Sequence, residues 1–157
     1  MSEETVSYMN VVEESAPQEP ITTTQTDVLP EGYLADGYYA KSDSGVSYLK
    51  PAFVGRYAKE IAAGLNGMKL TDVSKMIRTL KQAKKSTLPF EARLTAAMEL
   101  LPYALSLVKN KKAPQLLVTF LQANLDAIHG NEDWSAFLRH TTAVYGFMAA
   151  QEGTENG

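Results

Sequence analysis

The chain has 157 residues, 45% of them apolar, 21% charged and 9% aromatic, which is enough for one globular domain with its own core and short for two. The absence of cysteine excludes disulfides, iron–sulfur clusters, thiolate zinc sites and cysteine nucleophiles, and two histidines, His129 and His140, leave little from which to build a metal or acid–base centre. The formal net charge of -3, taken alone, argues against a polyanionic partner.

That average hides a division. Residues 1–45 carry nine acids against one base, Lys41, for a net -8, whereas residues 46–157 carry 14 bases against nine acids, for a net +5. Between Lys50 and Lys112 the imbalance sharpens to +9, because 13 bases face only Glu60, Asp72, Glu91 and Glu99. The N-terminus, Met1-Ser2-Glu3-Glu4, is acidic and has no apolar core of the kind a secretory signal needs. No later apolar run approaches the roughly 20 residues that span a bilayer, so a cytoplasmic protein without membrane contact is expected.

The first 30 residues include Pro17, Pro20, Pro30 and the run Thr22-Thr23-Thr24, with few bulky apolar residues and no sustained period. That composition predicts an acidic, largely disordered tail over residues 1–45. Tyr33, Tyr38, Tyr39 and Tyr48 stand at its exit among Gly32, Gly37 and Gly45, and the simplest expectation is a loop that packs a tyrosine or two on the core.

From Lys50 onward the periodicity is helical. Pro51 suits a first helical position, and Val54, Tyr57, Ala58, Ile61 and Leu65 follow at three- and four-residue spacing until Asn66-Gly67. Thr71 is a candidate N-cap for a second helix with the stripe Val73, Met76, Ile77, Leu80 and Ala83, ending near Lys85-Ser86. A third opens at Ser86-Thr87 with Pro89 in its first turn and carries Phe90, Leu94, Met98, Leu101, Leu105 and Val108. Its spacing continues across Pro102, which predicts a kink there or two helices in tandem. The fourth starts at Pro114 and runs through Leu117, Phe120, Leu121, Leu125 and Ile128 to His129-Gly130. The last begins near Asn131 or Glu132 and places Trp134, Phe137, Leu138, Thr141, Val144, Tyr145 and Met148 along its length. No segment alternates with period two, so the expectation is an all-α domain, a compact bundle of about five helices over residues 46–151, preceded by the tail and followed by a short one at 152–157.

A catalytic reading demands a nucleophile beside a base or a pair of carboxylates with room between them, and nothing meets the demand. His129 is expected to satisfy terminal carbonyls of the fourth helix, and His140 to be structural or superficial. The domain's acids are scattered, and there is neither a dinucleotide fingerprint nor a phosphate-binding loop, so no cofactor and no small-molecule substrate are implied. The bases are more informative. At 100° per residue Lys75, Arg78 and Lys85 fall on one side of the second helix, opposite its apolar stripe, with Lys81 and Lys84 broadening the basic face. Lys50, Arg56 and Lys59 add charge on the first helix, and Lys109, Lys111 and Lys112 crowd the turn before Pro114. Any one of these is an ordinary solvated side chain, but nine excess charges in one stretch attract polyanions, and binding to a phosphate backbone is the expectation. The segment Leu70 to Arg78 also permits a helix-turn-helix, although its start offers Asp72 and Ser74 where a base-reading unit needs Arg, Asn or Gln.

In this order the features resemble the small subunit of the type III-A CRISPR effector (Csm) complex. The resemblance lies in Leu70-Thr71 followed by Ile77-Arg78 and Lys81, Lys84 and Lys85, in Leu100-Leu101-Pro102-Tyr103-Ala104, and in Trp134-Ser135-Ala136-Phe137-Leu138 with Ala143-Val144-Tyr145-Gly146-Phe147. It covers roughly residues 50–150, and departs from the family in the spacing of the first element, in Lys109 where an arginine is expected, and in the acidic tail. It implies a non-catalytic subunit of a ribonucleoprotein for antiviral defence, stacked with further copies of itself and other subunits beside guide RNA and target single-stranded RNA. Base pairing would then supply specificity and this chain cations. The alternative is a helical adaptor that binds only proteins.

Overall fold

The computed structural model describes residues 28–85 and 87–156, with side chains through Gln151. Two short strands, β1 (Tyr39–Lys41) and β2 (Ser47–Leu49), are followed by a 3-10 turn (Pro51–Val54) and six α-helices. These are α1 (Arg56–Gly64), α2 (Leu70–Lys85), α3 (Phe90–Met98), α4 (Leu100–Lys109), α5 (Gln115–Ala127) and α6 (Asn131–Asn156). The all-α expectation holds, with the hairpin as a small addition.

The centre of the domain is α6. Apolar residues occupy most of its circumference, which is the pattern of a helix enclosed by others, and Trp134, Ala136, Phe137, Leu138, Val144 and Met148 are all buried. Around it lie the 3-10 turn, α1, α2 and α3, and Phe120 of α5 brings its ring to 6.2 Å from Phe137. A chain of contacts sets the direction of α2 against α3 and α4: Arg93 donates to the Lys84 carbonyl at one end, Tyr103 donates to Asp72 further along, and Val108 lies by Asn66 and Gly67 at the other. The pair α3–α4 is therefore one antiparallel partner for α2, bent at Glu99. Pro102 falls in the first turn of α4, where its missing N–H costs nothing, so the tandem arrangement is the one adopted.

Several boundaries differ from expectation. The first helix is split at Gly55, whose φ of -127° and ψ of -106° end the 3-10 turn before α1 begins, and Val54 is exposed. Thr71 lies inside α2, and α3 begins at Phe90 with Pro89 as its cap rather than in its first turn. The turn at Asn66-Gly67 forms as the sequence implies, with Gly67 at φ +103°, a conformation that favours glycine. Met98 and Leu105, placed on the apolar stripe by spacing, are about half exposed at 53% and 50%, because the bend at Glu99 turns them outward while Ala97, Leu100, Ala104 and Leu107 face the core. The expected C-terminal tail is helical, since α6 continues to Asn156.

The largest difference is at the N-terminal side. Among the described residues packing is already present at Leu29, inside the stretch assigned to the tail, and the boundary at 45 falls in the β1–β2 hairpin. Tyr39 pairs with Leu49 and Lys41 with Ser47, and the Tyr38 carbonyl accepts from the Lys50 N–H. Tyr38 is 1% exposed and belongs to the core, so the tyrosine-rich segment docks as its composition suggests. Residues 1–27, for which disorder is expected, lie outside the described residues.

Candidate nucleic-acid interface

Helix α2 turns Val73, Met76, Ile77 and Leu80 inward, each 6% exposed or less. The same periodicity forces Lys75, Arg78, Lys81 and Lys85 outward, one per turn, along about 15 Å of axis. Lys84 is exposed at the last turn. None of these five forms an ion pair among the described residues. The one acid on α2, Asp72, lies to the side, where its Oδ1 accepts from the Tyr103 hydroxyl at 3.2 Å; burial and the adjacent carboxylate raise that hydroxyl's pKa. Lys75 stands at the lip of a groove of about 270 Å³ between α2 and α4, floored by Met76 and Leu100 and closed by Thr79, Tyr103 and Glu99.

Past the start of α2 the basic surface turns onto a second group. Lys109, Lys111 and Lys112 are exposed, and the last two line a depression with Asn66 and Gly67. Lys69 borders the opposite side of the same turn, with Met148 and Gln151. Lys69, Lys111 and Lys112 thus ring the Asn66-Gly67 turn at the N-terminal end of α2. Lys69 is not among the expected site residues, because it precedes the helix and escapes a count made by helical angle; only its neighbourhood in sequence to Leu70 could have signalled it.

Lys50 precedes the 3-10 turn, and Arg56 and Lys59 lie on α1 rather than on α2. Helix α1 packs on α6 and the 3-10 turn. There Arg56 is engaged locally, 3.3 Å from Glu60 and 4.7 Å from the centre of the Tyr57 ring. Arg93 is committed to structure as well: it donates to the Lys84 carbonyl at the C-terminal end of α2 and to Asn131 at the start of α6, and its guanidinium lies 5.9 Å from the Trp134 ring centre.

The histidines take no part in this surface. His140 is wholly buried, with Nδ1 2.6 Å from the Phe53 carbonyl and Nε2 2.6 Å from the Tyr33 hydroxyl. A carbonyl can only accept, so Nδ1 carries the proton and Nε2 accepts from Tyr33. The Tyr33 oxygen in turn accepts from Asn124 Nδ2 at 2.8 Å, and Asn124 Oδ1 accepts from Tyr38 at 2.7 Å. Every proton in the chain has one place, and that place requires a neutral imidazole. Desolvation by burial acts in the same direction, against the opposing bond to Phe53, and pushes His140 down to about 4. Burial raises the Tyr33 and Tyr38 hydroxyls. His129 is exposed, and it is its backbone N–H that is held, by Asp133 Oδ2 at 2.9 Å, rather than its ring that satisfies the end of α5.

Asp36, Asp126 and Asp133 line a cleft of about 580 Å³ with Gly37, Tyr39 and His129. Among the described residues no group of three or more His, Asp or Glu side chains could hold a metal ion, and no helix is long and apolar enough to cross a membrane. The chain matches no protein-family model, no curated protein and no solved structure.

Proposed function

We propose that this chain is a non-catalytic RNA-binding protein that holds the phosphate backbone of single-stranded RNA on the outer face of α2 and the lysines around Asn66-Gly67. The observation that carries the reading is the row Lys75, Arg78, Lys81 and Lys85, exposed and without an acidic partner among the described residues. Exposed bases normally alternate with acids on a helix surface, and a row of one sign repels itself unless an anion lies against it. No aromatic ring is interleaved in the row, so contact with phosphates rather than stacking on bases is the expected mode.

The small subunit of a type III-A CRISPR effector is the specific form of this reading, supported by the sequence resemblance and by an all-α domain with a basic outer helix. In that role guide and target strands lie on the basic face, and the neighbouring subunits and further copies of the chain cover other surfaces. A protein-only adaptor is the second reading, and exposed Met98 and Leu105 on the outer side of α3 and α4 favour it. The helix-turn-helix gains no support, since Asp72 at the start of α2 is bonded to Tyr103.

A salt titration of binding to a single-stranded RNA homopolymer tests the proposal. With about four to six phosphate contacts, log affinity falls against log salt with a slope of about -0.7 per contact. Absence of binding at low salt, or affinity indifferent to salt, favours the adaptor.

A further inference from the structure

We infer that the groove between α2 and α4 is a subsite for a single guanine base, held there by Glu99 while the phosphate of the same nucleotide meets Lys75. That the nucleotide is part of a strand rests on the RNA reading under Proposed function; the base site stands on the groove itself.

Size and lining limit what the groove takes. Its volume of about 270 Å³ falls just under the roughly 300–1,000 Å³ of sites that enclose a drug-sized ligand, so it holds one ring system and no more. Met76 and Leu100 form the floor and, at 1% and 4% exposed, are fixed by the core beneath, so the floor is in place before a ligand arrives. Tyr103 supplies an aromatic wall, and its hydroxyl ties α4 to Asp72 Oδ1 of α2 at 3.2 Å. An apolar floor with an aromatic wall is what an unstacked base of a single strand settles on.

The polar groups choose among the bases. Thr79 spends its hydroxyl hydrogen on the Lys75 carbonyl at 3.1 Å, and Tyr103 spends its own on Asp72. Two side chains of the lining remain without a partner among the described residues: the Lys75 ammonium, which only donates, and the exposed Glu99 carboxylate, which accepts. Lys75 belongs to the row that Arg78, Lys81 and Lys85 continue, and it alone of the four lines the groove. A phosphate held at Lys75 therefore has its base beside the opening, and Glu99 asks that base for donors. Guanine alone among the RNA bases presents two adjacent ones, N1–H and the 2-amino group, which a carboxylate accepts together. Adenine and cytosine offer one amine beside a ring nitrogen whose lone pair repels the second carboxylate oxygen, and uracil flanks its single N–H with two carbonyls.

Two measurements on the full chain test the site. The first compares affinity at low salt for a uridine decamer and for the same decamer with one central guanosine, or one central inosine, which keeps N1–H and lacks the 2-amino group. Guanosine is expected to bind about fivefold more tightly, the lower end for a bidentate pair because Glu99 is exposed, and inosine close to uridine. Glu99→Gln keeps the size of the side chain and exchanges one acceptor oxygen for a donor; it abolishes the guanosine advantage, while the uridine decamer binds no more weakly than before. An advantage that is absent, or that survives in Glu99→Gln, overturns the proposal. The second measurement needs no strand: it follows the amide signals of Lys75, Thr79 and Leu100 as millimolar guanosine or uridine 5′-monophosphate is added. Larger shifts with the guanosine nucleotide support the site even where no decamer binds, and then only the RNA reading fails. Decamers that bind alike, with equal shifts from both nucleotides, overturn the base site and leave the RNA reading standing. If no decamer binds and neither nucleotide moves these signals, both fall and the adaptor remains.

Discussion

The Lys112 N–H donates to the Leu107 carbonyl at 2.8 Å, and one residue earlier the Lys111 N–H donates to the Val108 carbonyl at 3.0 Å. These two bonds close the end of α4 as a Schellman motif, in which the residue after the cap must adopt a left-handed conformation. Here that residue is Lys111, at φ +62°, where glycine is normally found. A strained lysine is thereby held outward at the Asn66-Gly67 turn.

Replacing it separates stability from binding. Lys111→Gly relieves a left-handed side chain and is expected to raise stability by about 1 kcal/mol, read as a higher denaturant midpoint at unchanged m-value. The same change removes one cation, so RNA affinity falls and the salt slope flattens by one contact's share. A variant that is more stable and binds equally well would remove Lys111 from the interface.

The basic row and the core beside it respond differently to mutation. Lys75→Ala, Arg78→Ala and Lys85→Ala each change stability by no more than about 0.5 kcal/mol, as exposed positions do, and each weakens RNA binding. Ile77→Ala, on the buried side of the same helix, costs about 2–5 kcal/mol and leaves the affinity of the folded protein unchanged. A triple charge variant that stays folded and binds like the parent moves the contact surface away from α2.

Acid weakens the fold through His140. Its pKa is about 4 in the folded chain against an ordinary 6.5, so the unfolded chain takes up the proton first. The neutral imidazole's contribution is present in full above about pH 6.5 and is lost progressively as pH falls to about 4, by about 3 kcal/mol. The ring is packed by Tyr33, Phe53 and Phe120, and its two hydrogen bonds go to uncharged groups. Urea unfolding of the parent and of His140→Gln across that range measures the difference; parallel pH profiles would contradict it.

Asn124 is the member of that chain with the most to lose. Asn124→Ala strips Tyr33 and Tyr38 of a partner each and frees the Phe120 carbonyl of its side-chain bond. Unpaired buried polar groups cost about 1–3 kcal/mol each, so a loss of several kcal/mol is expected in thermal melts. Asn124→Asp is no rescue, since a carboxylate cannot donate to Tyr33.

The helices were legible because their stripes are long: Val73, Met76, Ile77 and Leu80 read as one face and are one face. Residues 28–49 were legible only in part. Three-residue strands give no alternation to detect, and Tyr38 is anchored by Asn124, 86 positions away, a relationship that local spacing does not encode. Met98 and Leu105 misled for the converse reason, since the spacing continued across a bend that changes which side faces inward. For the candidate site, α2 could be read by angle, whereas the grouping of Lys69 with Lys111 and Lys112 needs the folded turn.

Tyr33, Tyr38 and Tyr39 find their partners at His140, Asn124 and Glu132, between 86 and 107 residues further along. A chain emerging from the ribosome therefore makes its N-terminal segment long before anything exists for it to hold. Helices α2 to α4 pair with their sequence neighbours and can begin to assemble during synthesis, but α1, which packs on α6, and the tyrosine segment must wait for the last helices.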